Sequence, residues 1–306
     1  MKIGLIDIEN RDRKLDNQFP NFALMKISAY HKNLGDSVEW YQGFERYDIV
    51  YISKVFTFST DELFYINADK VIKGGTGYDI KSKLPDEIEN SLFVDYSLYP
   101  KCNYSIQWFS RGCIRNCPFC LVHEKEGKIR PYRVHQLNPK GKHIEILDNN
   151  FFANPNYKEA INWIINNNQR VTFHGVDVRL MNEEKALLLN KLKINGSIKI
   201  AWDNPKDDIL PMIKEMIKVV KPYKILCYMI IGFQSTIEQD YERANELKKL
   251  GICVQSQPYR DFINKRKPTQ YEKDFAGWTN KKERFKAFDF KEYYPRKWFC
   301  CATYFN

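Results

Sequence analysis

No stretch of the 306-residue chain is apolar for long enough to cross a bilayer. The opening residues, MKIGLIDIEN, are broken by Asp7 and Glu9, so they lack the continuous apolar segment of an export signal. Internal repeats are absent, and so are low-complexity tracts apart from the polar run Asn166–Gln169. Residues 1–101 contain no cysteine. A membrane-spanning protein and an exported disulfide scaffold are therefore not expected, the latter because such scaffolds are usually short and carry a signal. A soluble, cytoplasmic protein is expected, with no membrane partner. Its eight cysteines are expected as reduced thiols or metal ligands.

What is present is the composition of a folded protein. Hydrophobic residues make up 43% and charged residues 28%, with 19 Tyr and 20 Phe. The length suits one large α/β barrel with a small appended domain. The net charge of +10 speaks to partners and solubility, and it is uneven. From Arg260 to Asn306 there are 12 Lys/Arg against 6 Asp/Glu, interleaved with 13 aromatics such as Phe262, Tyr271, Trp278, Tyr294 and Trp298.

Hydrophobic periodicity divides the chain into three parts. In residues 1–100, strands at Lys2–Ile8, Val38–Tyr41 and Asp48–Lys54 with a helix at Phe22–Asn33 predict a small Rossmann-like α/β domain. From 101 to 260, strands are expected at Ser105–Phe109, His143–Leu147, Val171–His174, Ile198–Trp202, Ile225–Ile231 and Ile252–Gln257. Helices are expected between the later ones at Lys158–Asn167, Glu183–Leu192, Asp207–Val220 and Thr236–Leu250. The last is opened by Ser235 with Glu238 three residues on, and closed by Gly251. Strand and helix in alternation imply parallel strands with crossovers, and six such strands can curl into a partial (β/α)6 TIM-like barrel. Residues 261–306 are expected to be an extension packing on that barrel.

Parallel α/β barrels carry their chemistry at the C-terminal ends of the strands. In strand order these ends hold Cys113 to Cys120, then Asp148 and Asn149, then Gly175, Asp177 and Arg179, then Asp203, Gly232 and Tyr259. The strongest motif is Ser110-Arg111-Gly112-Cys113-Ile114-Arg115-Asn116-Cys117-Pro118-Phe119-Cys120, three thiols spaced CxxxCxxC on a loop leaving a strand. Three thiolates suit an iron–sulfur cluster whose remaining iron stays open to an exogenous ligand.

This motif resembles the signature of the radical S-adenosylmethionine superfamily, CxxxCx(aromatic)C after the first strand of a partial (β/α)6 barrel, with Phe119 in the aromatic slot. The resemblance covers roughly residues 100 to 260, the span of one domain. It implies that Cys113, Cys117 and Cys120 hold a [4Fe–4S] cluster. It further implies that S-adenosylmethionine chelates the open iron, that reductive cleavage yields a 5′-deoxyadenosyl radical, and that flavodoxin or ferredoxin supplies the electron. Asp148 and Asn149 in Ile144–Phe151 resemble the segment meeting the methionyl end of the cofactor. Gly175, Asp177 and Arg179 are similar to a GxDxR segment near its ribose and carboxylate. Gly232 and its neighbours resemble the segment beside adenine.

Residues 1–100 resemble the cobalamin-binding-type domain that precedes the barrel in one branch, but the DxHxxG motif of that domain is absent, since His31 sits in AYHKNLG. Cobalamin is therefore a doubtful cofactor. The missing N-terminal cysteines likewise disfavour the methylthiotransferase branch.

Other readings remain open at this stage. With His123 the three cysteines would make a structural zinc knuckle, although closed zinc sites usually draw on two separated pairs. Cys300 and Cys301, with Cys227 or Cys253, could ligate an auxiliary cluster or simply pack in the core. Asp148, Asp177, Arg179 and Asp203 could be strand-end caps, and His174 a hydrogen-bonded structural residue or a proton relay. The basic, aromatic tail could track nucleic acid or pack its rings on the barrel. The substrate is not identified, and the competing functions are a cobalamin-dependent radical methylase and a nucleic-acid-binding protein with a structural metal.

Overall fold

The computed structural model describes residues 1–10, 19–61, 65–261 and 266–305; Phe262 lies outside the described residues. The chain divides into two compact units, Met1–Ile144 and Glu145–Asn306. That division reflects packing, whereas the boundaries at 100 and 260 follow sequence pattern.

The first unit opens with β1 (Lys2–Asp7), α1 (Phe22–Asn33), β2 (Ser37–Trp40), β3 (Tyr47–Ser53) and β4 (Ala68–Gly74). The four strands form one parallel sheet in the order β2-β1-β3-β4. β1 is buried from Ile3 to Asp7, as a central parallel strand must be. α1 starts where the Asn21 side chain accepts from the Leu24 N–H at 3.2 Å, satisfying a helix-end donor. Its Leu24, Met25 and Ile27 pack with Ile3, Leu5 and Tyr51 of the sheet in one hydrophobic core. β4, ADKVIKG, was not foreseen: it is a largely exposed edge strand whose Lys70 and Lys73 hide the apolar alternation, a common treatment of sheet edges.

After α2 (Asp86–Glu89), the unit continues with β5 (Ser105–Gln107), β6 (Ser110–Arg111), α3 (Val122–Lys125) and β7 (Arg130–Pro131). The single strand expected over Ser105–Phe109 stops at Gln107, and β6 instead starts an antiparallel clip with β7.

The second unit contains β8 (Ile144–Ile146, which begins at the last residue of the first unit), α4 (Tyr157–Asn166), β9 (Arg170–Phe173), α5 (Glu183–Asn190), β10 (Lys193–Ile194) and β11 (Ile198–Ala201). It continues with α6 (Leu210–Ile217), β12 (Ile225–Ile231), α7 (Ile237–Lys249), β13 (Cys253–Pro258), α8 (Gln270–Thr279) and α9 (Lys282–Ala287). β10, β9 and β8 are neighbours in one sheet and β11, β12 and β13 in another. The pairs β9–β10, β11–β12 and β12–β13 are parallel, and a parallel bridge between Val176 and Ile200 joins the chain beyond β9 to β11. The fold is thus mixed α/β with parallel sheets.

Among the helix ends that differ from expectation, two starts have a local cause. α7 is capped one residue later than foreseen, by Thr236 with Gln239: the Gln239 N–H donates to Thr236 Oγ1 at 3.3 Å and the Thr236 N–H to Gln239 Oε1 at 3.0 Å. Both pairs fit the same box pattern, so spacing alone could not choose. α6 begins at Leu210, where Pro211 presets the first turn, because Asp207 closes the preceding turn, its N–H donating to the Asn204 carbonyl at 3.1 Å.

Tail aromatics make a core. Phe275, Trp278, Phe285 and Phe290 are buried, with Trp278–Phe285 and Phe275–Phe290 centroids both 4.9 Å apart. No helix among the described residues is long and apolar enough to cross a membrane.

Candidate metal centre and strand-end polar network

The cysteine loop belongs to the first unit. It leaves β6 and returns through α3 to β7, whose pairing (Ser110 with Pro131, Arg111 with Arg130) closes the excursion. The Cys113 N–H donates to the Gly127 carbonyl at 3.2 Å and the Cys120 N–H to the Cys117 carbonyl at 2.9 Å, so two of the three cysteines share a turn. Gly112 has φ +84°, and a Cβ there would collide with the Lys128 carbonyl, so both conformation and space require glycine. Arg111 donates to both Glu126 carboxylate oxygens at 3.1 and 2.8 Å, and the same carboxylate accepts the Gly112 N–H at 2.9 Å. Arg111 also lies 4.9 Å from the Trp108 ring centroid. The Arg115 N–H donates to Cys113 Sγ at 3.3 Å.

Cys113, Cys117, Cys120 and Phe119 are each partly buried, whereas His123 is exposed on α3. Among the described residues, no three His, Cys, Asp or Glu side chains stand at metal-holding separation. The donor set fits iron through its chemistry and its anchored loop.

In the second unit the expected residues sort into two groups. Gly175 lies against the end of β8: a Cβ there would collide with the Asp148 carbonyl, and the Phe151 N–H donates to the Gly175 carbonyl at 2.9 Å. Asp148 and Asn150 are buried at this junction. Asp177 accepts from the Arg179 N–H at 3.1 Å and from its Nε at 2.7 Å, while Asn150 Nδ2 donates to the other oxygen at 3.2 Å. Arg179 reaches on to Asp207 Oδ2 at 2.9 Å. Asp203 accepts the Ile230 N–H at 2.9 Å, and its carboxyl is pushed up chiefly by burial, against the pull of Arg243 and Arg179. Gly232 stands apart: at φ +72°, its missing Cβ makes room for the Glu272 carboxylate, which pairs with Arg266.

Sequence reasoning missed the basic anchor of the first group. Arg243 of α7 is buried, donating to the Trp202 carbonyl at 2.5 Å, the Ile230 carbonyl at 3.2 Å and Asp240 Oδ1 at 2.5 Å. Asp240 and Arg243 at i, i+3 read in sequence as a solvated helix pair, and nothing in the spacing signals burial. Asp207, read as part of a helix, was missed for the same kind of reason.

No protein-family model matches the chain, and no curated protein matches it. The site therefore rests on its own geometry.

The remaining cysteines are placed less favourably for ligation. Along β12 and β13, Cys227 pairs with Val254 and Leu226 with Cys253, so the two thiols point to opposite faces of the sheet. Burial pushes both the Cys227 and the Cys301 thiols up, the latter to about 12, which disfavours thiolate. His174 Nε2 stands 2.5 Å from Glu145 Oε2, and the Lys199 amine, lowered by burial, is held against that shift by Glu145. His31 is buried with Nδ1 2.7 Å from Asp36 Oδ2 and Nε2 3.0 Å from the Tyr51 hydroxyl, so both ring nitrogens are engaged within the first unit.

Proposed function

We propose that the protein is a radical S-adenosylmethionine enzyme whose cluster ligands are Cys113, Cys117 and Cys120. The observation that carries this reading is the loop: three partly buried thiols at CxxxCxxC spacing, with Phe119 between the last two, on a segment clipped at both ends by β6 and β7. Thiolates suit iron–sulfur chemistry. When bound, the [4Fe–4S] cluster with S-adenosylmethionine supplies one-electron cleavage of the sulfonium; flavodoxin or ferredoxin is the implied electron donor.

The chain's own residues do the holding. Glu126 neutralises Arg111 and fixes the Gly112 N–H, which sets the direction in which Cys113 leaves the strand. The Arg115 N–H donates to Cys113 Sγ and so fixes the direction in which that sulfur points. On this reading the parallel strands of the second unit form the wall of a partial (β/α)6 barrel, and their ends carry the cofactor contacts. Asp177 and Asp207 hold the Arg179 guanidinium in a fixed orientation suited to a carboxylate. Asp148, Asn149, Gly175 and Asp203 are polar or minimal groups at the neighbouring strand ends, and Gly232 is the assigned neighbour of adenine. The cobalamin-dependent alternative gains no support from His31, whose nitrogens are both engaged.

The test is anaerobic reconstitution with iron and sulfide, reduction by dithionite with S-adenosylmethionine, and chromatographic assay for 5′-deoxyadenosine. Wild-type protein should form the nucleoside and Cys117→Ala should form none while keeping its circular dichroism spectrum. Cleavage that survives the substitution would overturn the assignment.

A further inference from the structure

The folded tail separates charges that the sequence only interleaves. Of the carboxylates in residues 269–305, Glu272 and Asp274 are buried, paired with Arg266 and Arg296, and Asp289 accepts from the Tyr241 hydroxyl. The six lysines of the same stretch, Lys273, Lys281, Lys282, Lys286, Lys291 and Lys297, are all exposed, against Glu283 and Glu292 as exposed carboxylates. Folding therefore makes this surface more basic than its composition.

The aromatics are sorted as well. While Phe275, Trp278, Phe285 and Phe290 are buried, Trp298 is 89% exposed and Tyr294 64% exposed. Trp298 occupies the third position of a tight turn, Arg296 to Phe299, closed by an antiparallel bridge and by the Phe299 N–H donating to the Arg296 carbonyl at 3.2 Å. Its φ of +63° is a conformation that turns normally reserve for Gly or Asn. The turn is fixed from below: Arg296 NH1 donates to the two Asp274 oxygens at 2.8 and 2.7 Å, and the guanidinium lies 4.3 Å from the Phe299 ring centroid. Lys297 Nζ lies 5.4 Å from the Trp298 ring centroid.

We propose that this turn is a stacking platform for single-stranded nucleic acid, Trp298 stacking on a base and Lys297 with the neighbouring lysines meeting the phosphates. A bulky ring held at a strained tip, open to solvent and beside a cation, is what base stacking with backbone attraction requires. A membrane surface would call for a continuous apolar face free of charge, whereas the exposed Trp298 ring has the Lys297 ammonium beside it and the segment exposes six lysines. A duplex keeps its bases stacked and cannot use the indole in this way. The inference does not rest on the cysteine reading.

The experiment is fluorescence anisotropy of a labelled short single-stranded RNA with the full-length protein, against the matching duplex and against phosphatidylserine vesicles as competitors. The single strand should bind more tightly than the duplex, and Trp298→Gly should weaken it about tenfold. Trp298→Gly should not lower the melting temperature, because glycine accepts a positive φ freely. Lys297→Gln should reduce the salt dependence by about one charge, and Cys117→Ala should bind as wild type. No binding, equal affinity for duplex, displacement by vesicles, or an undiminished Trp298→Gly would each overturn the proposal.

Discussion

In the cysteine loop most of the anchoring is backbone: a two-residue clip, a glycine that no other residue can replace, and carbonyls accepting from Cys113 and Cys120, with one ion pair, Arg111–Glu126, that itself grips the Gly112 N–H. At the strand ends of the second unit the fixed parts are side chains that hold one another, with Arg179 between Asp177 and Asp207 and Arg243 against Asp240 and two carbonyls. A loop anchored mainly through its backbone takes its shape from local chain geometry. A site built from mutual ion pairs has already spent much of its polarity on itself, and each member depends on the others.

The comparison is most severely tested by removing the buried cation. Arg243→Ala should cost about 3–5 kcal/mol in denaturant unfolding, because it leaves Asp240 and the Trp202 and Ile230 carbonyls without their donor. A loss below about 1 kcal/mol would show that the network is not structural. A double change to Asp240→Leu with Arg243→Met should recover much of the loss, since a buried pair can be replaced by apolar residues of similar volume.

In the first unit the corresponding sensitivity is to pH. Burial, with Lys26 and Arg111 nearby, lowers the His135 pKa to about 4 from its usual value of 6.5. The unfolded chain then binds the proton more tightly than the folded one, so stability is fully present above about pH 6.5 and is lost as pH falls toward about 4. The loss should reach about 3 kcal/mol, measured as the difference between wild type and His135→Gln in urea melts across that range. Parallel curves for the two proteins would refute it.

The smallest effect is expected in the loop. Glu126→Gln should cost about 2 kcal/mol by weakening the charge-assisted bonds to Arg111. It should lower iron incorporation more than it lowers the melting temperature. Equal losses of both would mean that Glu126 serves the fold and not the loop.

The same contrast explains what was legible in the sequence. ILCYMII announced β12 at its true ends because one face is wholly apolar, and the cysteine motif was readable because its spacing is local. The strand expected over Ser105–Phe109 broke at Gln107 because Ser110 and Arg111 pair with a segment some 20 residues downstream, which local pattern cannot reveal. β4 escaped notice because an exposed edge needs no apolar period. Gly175, expected as a cofactor contact, also has a steric duty against the Asp148 carbonyl that the sequence pattern does not reveal. The burial of Arg243 had no local signal, since the carbonyls it meets belong to Trp202, just beyond β11, and to Ile230 of β12.

The register of β12 has a consequence for how the chain assembles. Ile225 pairs with Ile198 and Cys253 with Leu226, so each partner lies 27 residues away along the chain, one before and one after. The strand cannot gain either neighbour until a loop of that length has closed, and the two closures carry nearly the same entropy. Neither pairing has a head start. The central strand is set late and from both sides, so the search for the native sheet is governed by two matched long-range closures rather than by a local hairpin that could guide it.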